Sequence, residues 1–137
     1  MNFIAESEIK TKTVKYNIRQ EKKTYSQANA YCKNNGGKLF EPKSASINNR
    51  VVALARSKGV TLFWIGINDK TTEGRFTYES DGKVIVWKNW NSGEPNNGRS
   101  SGIFGWSWSA NEDCVESIRG KWNDKNCNER RSFVCEM

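Results

Sequence analysis

Histidine is absent from this 137-residue chain. That removes the side chain most often used as a general base, and with it the usual histidine-containing zinc sets. The four cysteines, at 32, 114, 127 and 135, include no Cys-x-x-Cys pair, so cysteine-only zinc sites lack their spacing as well. No apolar run approaches the roughly 18 residues that a membrane-crossing helix needs. The opening Met1-Asn2-Phe3-Ile4-Ala5-Glu6 has no basic stretch followed by an apolar one, the pattern of a secretory leader. No Asn-x-Ser/Thr triplet occurs, so N-glycosylation is not expected. Also missing are internal repeats, low-complexity tracts, the twelve-residue EF-hand loop and any nucleic-acid-binding signature.

What is present points to a folded globule. The length suits one domain with a real core, and six Trp argue against disorder. An even number of cysteines without a metal pattern favours structural disulfides and an oxidising compartment. Four cysteines allow three pairings, and spacing alone does not choose among them. The formal charge of +7 reads as a solvated basic face, since no RNA- or DNA-binding motif accompanies it. Arg130 and Arg131 read as surface charges.

Along the chain, Val14, Tyr16 and Ile18 alternate with polar residues, the period of a half-buried strand. Thr24-Tyr25-Ser26-Gln27 matches a capping box. The helix it opens carries Tyr25, Ala28, Tyr31 and Cys32 on one face and stops at Gly36-Gly37. A second helix is expected through Ile47, Val51, Leu54 and Ala55, capped by Ser44 or Ser46 and ended near Gly59. Leu62 to Ile67 is a buried-strand candidate. Asp81-Gly82, between Phe76/Tyr78 and Val84/Val86, signals a hairpin. Residues 88–112 form a long, aperiodic stretch of the kind that is usually functional. Short closing strands follow around Val115, Trp122 and Phe133. The fold class is α+β. Trp64, Trp87, Trp90 and Trp122 read as core or loop anchors.

The chemistry lies in the loop-rich part. Asp69, Glu73, Glu94, Glu112, Asp113 and Asp124 stand beside Asn96, Asn97 and Asn123. Clustered carboxylates repel one another, and a hard cation relieves this. Calcium takes six to eight oxygens in a geometry that loops can supply. The alternative is a set of surface carboxylates and turn-forming amides.

Trp64-Ile65-Gly66, Glu94-Pro95-Asn96, Glu112-Asp113-Cys114, Trp122-Asn123-Asp124 and Phe133-Val134-Cys135-Glu136 occur in this order. Together with the cysteine positions they resemble the C-type lectin domain, and its collectin or mannose-binding branch in particular, over about residues 13–137. Residues 1–12 are then a stub or linker of a longer secreted protein. The resemblance implies the short form of that fold, with two helices, small antiparallel sheets, a long calcium-binding loop region and two disulfides, Cys32–Cys135 and Cys114–Cys127. It implies a sugar-binding Ca2+ site made by Glu94, Asn96, Glu112, Asn123 and Asp124. It implies an auxiliary Ca2+ site made by Asp69, Glu73, Asn97, Asp113 and the backbone of Glu112, with Asn97 standing where some relatives carry Asp. Pro95 is expected to follow a cis bond, and the Glu-Pro-Asn order implies mannose, fucose, glucose or N-acetylglucosamine.

The segment from Gly98 to Ala110 departs from simple mannose binders. It is long, rich in Gly and Ser, and carries Ile103, Phe104, Trp106 and Trp108. Trp106 or Trp108 could stack on a sugar, which suggests galactose-type binding as an alternative, or could pin the loop to its own domain. A lectin-like domain for a non-sugar ligand is a further alternative. A glycosidase built on Glu94 and Glu112 is a weaker reading, because the amide-rich setting suits ion coordination better than acid–base work; the chain is read as no enzyme. The implied partners are glycans on cell or microbial surfaces, with homo-oligomers adding avidity, and neither nucleic acid nor membrane insertion is expected. The implied location is extracellular.

Overall fold

The structure, a computed structural model, describes residues 13–96 and 113–137. These form two helices and seven strands in the order β1 (Tyr16–Lys23), α1 (Tyr25–Asn34), β2 (Lys38–Leu39), α2 (Ala45–Ser57), β3 (Leu62–Asn68), β4 (Thr77–Tyr78), β5 (Cys114–Ile118), β6 (Lys121–Lys125) and β7 (Arg131–Glu136). The expected stub at 1–12 lies outside the described residues.

Local signals set both helices. Thr24 Oγ1 accepts from the Gln27 N–H while Gln27 Oε1 accepts from the Thr24 N–H, which closes the capping box that opens α1. Ser44, rather than Ser46, caps α2 by accepting from the Ile47 N–H. The buried face of α2 is Asn48, Val51, Val52 and Ala55, and Leu54, expected on the apolar stripe, is 40% exposed. A residue at position 54 falls beyond the arc that 48, 51, 52 and 55 bury.

The sheet runs β1-β7-β3-β5-β6, with β2 added to β7 and β4 to β3. β3 and β7 are parallel and the other neighbours are antiparallel. β3 lies deep in the core, with Phe63, Trp64, Ile65 and Ile67 all buried. Gly66 lies where β3 passes β2. Its N–H donates to Phe40 O at 2.7 Å, and a Cβ there would stand 2.9 Å from Leu39 O. Only glycine lets the backbones approach this closely.

The Asp81-Gly82 turn forms as expected, with Tyr78 N donating to Lys83 O and Gly82 N to Tyr78 O. Its second arm is slight, a single bridge between Thr77 and Val84. The alternation is also shifted by one residue: Ile85 is buried, whereas Val84 and Val86 are exposed. A one-residue change of phase exchanges the two faces of a strand. Arg131 departs from its surface reading too. Its side chain is only 18% exposed and its Nε lies 2.9 Å from Glu116 Oε1.

Two disulfides, Cys32–Cys135 and Cys114–Cys127, match the pairing the resemblance implies. The first joins α1 to the last strand across 103 residues; the second spans 13. In the chain-entropy account the long closure is worth about 4.7 kcal/mol and the short one about 3. The Cys32→Ala/Cys135→Ala variant is therefore expected to lose more stability than Cys114→Ala/Cys127→Ala, as read from urea-denaturation midpoints. Equal losses, or the reverse order, would show that local contacts rather than chain closure set the difference.

Candidate functional site

Two carboxylate-bearing regions come together at the end of the sheet where β3 stops. The first starts at Asn68, the last residue of β3. Its Nδ2 donates to Glu79 Oε1 at 2.9 Å and to the Tyr25 hydroxyl at 3.1 Å, and its Oδ1 accepts from the Lys70 N–H. The root of the following loop is thus fixed by side chains from α1 and from the β4 turn. Asp69 then tucks under the loop, with its N–H donating to Asp113 O at 2.9 Å and its Oδ2 accepting from the Gly74 N–H at 2.8 Å. Gly74, at φ +83°, makes the turn that aims this N–H inward.

Asp69, Glu73 and Asp113 each bring a carboxylate oxygen within 4.8 Å of the others. Asp69 is 2% exposed. Burial, and after it the neighbouring Glu73 and Asp113, push its carboxyl up to about 7, against the Gly74 N–H that favours the charged form. Asp69 Oδ1 and Asp113 Oδ1 are buried with no hydrogen-bond partner among the described residues. Two buried carboxylate oxygens without donors carry a desolvation cost, and an all-oxygen set of this kind fits a hard cation such as Ca2+. Asn97 and Glu112, the other expected members, lie outside the described residues.

The second region is the loop before the long segment. Trp122 N donates to Asn89 O and Asn91 N to Trp122 O, so β6 and this loop run side by side. Trp87 and Trp90 pack edge-on against the buried Trp122, with centroids 5.4 and 5.6 Å away, and Phe76 continues the cluster beneath Trp90. On this aromatic floor Gly93 turns the chain and the Glu94–Pro95 bond is cis. Asn96 Nδ2 then donates to Glu94 Oε2 at 2.8 Å, and the Asn96 N–H donates to Asp124 Oδ1 at 2.9 Å. Asn123, next to Asp124 on β6, accepts at Oδ1 from Asn91 Nδ2 and donates through Nδ2 to Glu116 Oε2, both at 3.1 Å.

A cavity of about 410 Å3 joins the two regions, lined by Asp69, Glu73, Phe76, Pro95, Asn96 and Asp124. Of the residues expected in the sugar site, Glu94, Asn96 and Asp124 are linked by hydrogen bonds, Asn123 is next to Asp124 on β6 but bonds Asn91 and Glu116 through its side chain, and Glu112 lies outside the described residues. Trp106 and Trp108 do too.

The sequence reading missed Glu116, Asn91, Asn68 and Glu79. Glu116 is the most telling. It is 2% exposed, and its two oxygens are shared between Arg131 Nε and Asn123 Nδ2. An acid in the middle of the short strand Cys114-Val115-Glu116-Ser117-Ile118 was the available signal, because a buried carboxylate requires partners. Cross-strand pairing sets it directly opposite Asn123.

The Lectin C-type domain profile matches residues 21–137. Zebrafish (Danio rerio) collectin-11 is 34% identical over 123 residues, which is 89% of this chain and 42% of that protein. Pig (Sus scrofa) pulmonary surfactant-associated protein D is 39% identical over 117 residues, 84% of this chain and 28% of that protein. The chain therefore spans less than half the length of these relatives. Among solved structures, the mouse scavenger receptor C-type lectin carbohydrate-recognition domain superposes with a TM-score of 0.76 at 29% identity, covering 93% of each chain.

Removing the Glu116 carboxylate strands a guanidinium and an amide in a largely buried place. Glu116→Ala is expected to cost about 2–3 kcal/mol. Glu116→Gln, which retains an acceptor, is expected to cost less. Denaturant melts of both variants check this, and a neutral Glu116→Ala would mean that the pair contributes nothing net.

Proposed function

The chain belongs to the C-type lectin domain family, and on that premise we propose that it is a calcium-dependent carbohydrate-binding module with a mannose-, fucose- or N-acetylglucosamine-type preference. The family is one of carbohydrate-binding proteins rather than enzymes. The observation that supports the reading is that Asn96 and Asp124 meet at one cavity, with the Asn96 N–H on Asp124 Oδ1 at 2.9 Å, while the Asn96 amide holds Glu94 Oε2 at 2.8 Å. Residues from two distant segments thus bring carboxylate oxygens and amide hydrogens together beside one opening.

Glu94, Asn96, Asn123 and Asp124, with Glu112, are the proposed ligands of the sugar-binding ion. Asp69, Glu73 and Asp113, with Asn97 and the Glu112 backbone, are the proposed ligands of the auxiliary one. A bound calcium ion would offer its remaining coordination to sugar hydroxyls. This chain's own residues then fix which hydroxyls fit. A carboxylate only accepts, whereas an Asn amide both donates and accepts. A vicinal diol donates to Glu94 and accepts from the amides of Asn96 and Asn123, so each hydroxyl is satisfied on both sides. Pro95 between Glu94 and Asn96 sets the order of acceptor and donor along the rim, and that order discriminates between equatorial and axial hydroxyls.

A single monosaccharide makes few contacts and gives up well-hydrated hydroxyls, so affinity per site is weak. Useful capture of a glycan-coated surface comes from several sites acting together, which favours homo-oligomers. The two disulfides favour an oxidising, extracellular setting. No helix among the described residues is long and apolar enough to cross a membrane.

Binding of immobilised mannan is expected to require calcium and to vanish in excess chelator; capture that persists in chelator overturns the reading. Glu94→Ala/Asn123→Ala is expected to abolish capture with the fold intact by circular dichroism. Calcium at about 100 times its dissociation constant should add about 2.7 kcal/mol of stability, several degrees in Tm, and Asp69→Asn should shrink that gain.

A further inference from the structure

A second cavity, of about 260 Å3, adjoins the first. Gly74 and Phe76 line both, and so form the ridge between them. The far side of the ridge differs in chemistry. Its lining adds Arg75, Val84, Ile85 and Lys88, whereas the near side presents Asp69, Glu73 and Asp124. Arg75 and Lys88 are exposed, and among the described residues neither has a carboxylate within ion-pairing distance. Some cations of this chain are paired in that way, Arg19 with Glu21, Lys38 with Glu41 and Arg131 with Glu116; what sets Arg75 and Lys88 apart is that they line one cavity. Beside these two cations in the lining is Val84, 45% exposed on the outer arm of the hairpin.

We propose that this second cavity is an anion subsite, which takes a sulfate or phosphate ester carried by the sugar held in the first cavity or by the next residue of the same glycan. The inference rests on the carbohydrate reading above and adds to it a preference for acidic glycans. Two cations without acid partners that line one cavity complement a tetrahedral oxyanion. A guanidinium meets such a group through two parallel N–H donors, and an ammonium adds a movable point charge. Val84 suits the apolar face of a pyranose ring that bridges the ridge. A neutral glycan would leave both cations with water alone, and an acyl chain would have to strip water from them. The ligand that satisfies both halves has a neutral diol at one end and an ester anion at the other.

Both side chains are exposed, so the gain per charge is small, and two together are expected to give about a 3- to 10-fold preference. The test compares 6-sulfo-N-acetylglucosamine with N-acetylglucosamine, and mannose 6-phosphate with mannose, by titration in calcium at physiological ionic strength. The two pairs separate sulfate from phosphate. The proteins are the wild type, Arg75→Ala/Lys88→Ala, the charge-reversed Arg75→Glu/Lys88→Glu, and Lys33→Ala/Lys58→Ala, which loses the same charge elsewhere. The expected result is a preference for at least one anionic sugar in the wild type and in Lys33→Ala/Lys58→Ala. That preference should be lost in Arg75→Ala/Lys88→Ala and reversed in Arg75→Glu/Lys88→Glu, while the neutral sugars bind all four proteins alike. Neutral sugars binding without any anionic preference overturns the subsite and leaves the lectin reading standing. A preference that survives Arg75→Ala/Lys88→Ala, or falls equally in Lys33→Ala/Lys58→Ala, overturns it in favour of bulk charge. Absence of calcium-dependent binding to every sugar overturns both.

Discussion

The loop from Trp87 to Asn96 has almost no regular structure of its own, and Trp122 is what holds it. That indole is wholly buried, its backbone is bonded to Asn89 and Asn91, and Trp87 and Trp90 rest edge-on against it. Edge-to-face aromatic contacts add about 0.5–1.5 kcal/mol each beyond the area they bury. An irregular loop fastened at two such contacts can present Glu94 and Asn96 in one place. Without them, the acidic and amide side chains would sit on a mobile strand of loop, and the entropy of ordering them would fall on ligand binding. The site is therefore an extension of the core, which reaches it through Phe76, Trp90 and Trp122.

The electrostatics follow from the same arrangement. Asp69 is held under its loop by the Gly74 and Asp113 backbones, so it cannot swing into water to escape Glu73 and Asp113. Its carboxyl is pushed up to about 7, chiefly by burial and then by the neighbouring Glu73 and Asp113. A proton or a cation relieves this. The scaffold absorbs the strain of this arrangement elsewhere. The Cys114–Cys127 bridge begins immediately after Asp113 and closes around β6, which carries Asn123 and Asp124. The Tyr25 N–H donates to Cys127 O, which ties the start of α1 to the same bridge. Asp113, just before β5, and Asp124, on β6, are in this way fixed relative to each other by a covalent link.

Much of this was legible in the sequence where the signal is local. The capping box at Thr24, the stop at Gly36-Gly37 and the Asp81-Gly82 turn each depend on a few neighbouring residues, and each formed. Of the carboxylates and amides named from the sequence, Asp69, Glu73 and Asp113 form one cluster, and Glu94, Asn96 and Asp124 are joined by hydrogen bonds beside it. What was not legible depends on partners far away in sequence. Glu116 and Arg131 are 15 residues apart and look like ordinary charges until the sheet lays β5 against β6 and folds Arg131 over it. Asn68 gives no hint that Tyr25 and Glu79, 43 and 11 residues away, will occupy its amide. The phase of the Val84–Val86 arm was misread because a single bridge, not a ladder, sets it. Alternation then carries little register information.

The distribution of charge has a consequence for how such a domain meets its ligand. The chain carries +7, yet the cavity at its end is lined by Asp69, Glu73 and Asp124. Screening at physiological ionic strength confines each field to about 8 Å. A calcium ion near the rim would therefore be drawn by the local carboxylates and barely opposed by Lys33 of α1 and by Arg50 and Arg56 of α2. A glycan-coated surface many Ångströms across, by contrast, responds to the net positive face. Under the proposed function, the acidic rim would set what is coordinated, and the net charge which surfaces are approached first. Attraction to an anionic surface and calcium-dependent sugar binding would then be separable, the first weakened by salt and the second by removal of calcium. The row of Arg75 and Lys88 beside the rim is where the two properties meet.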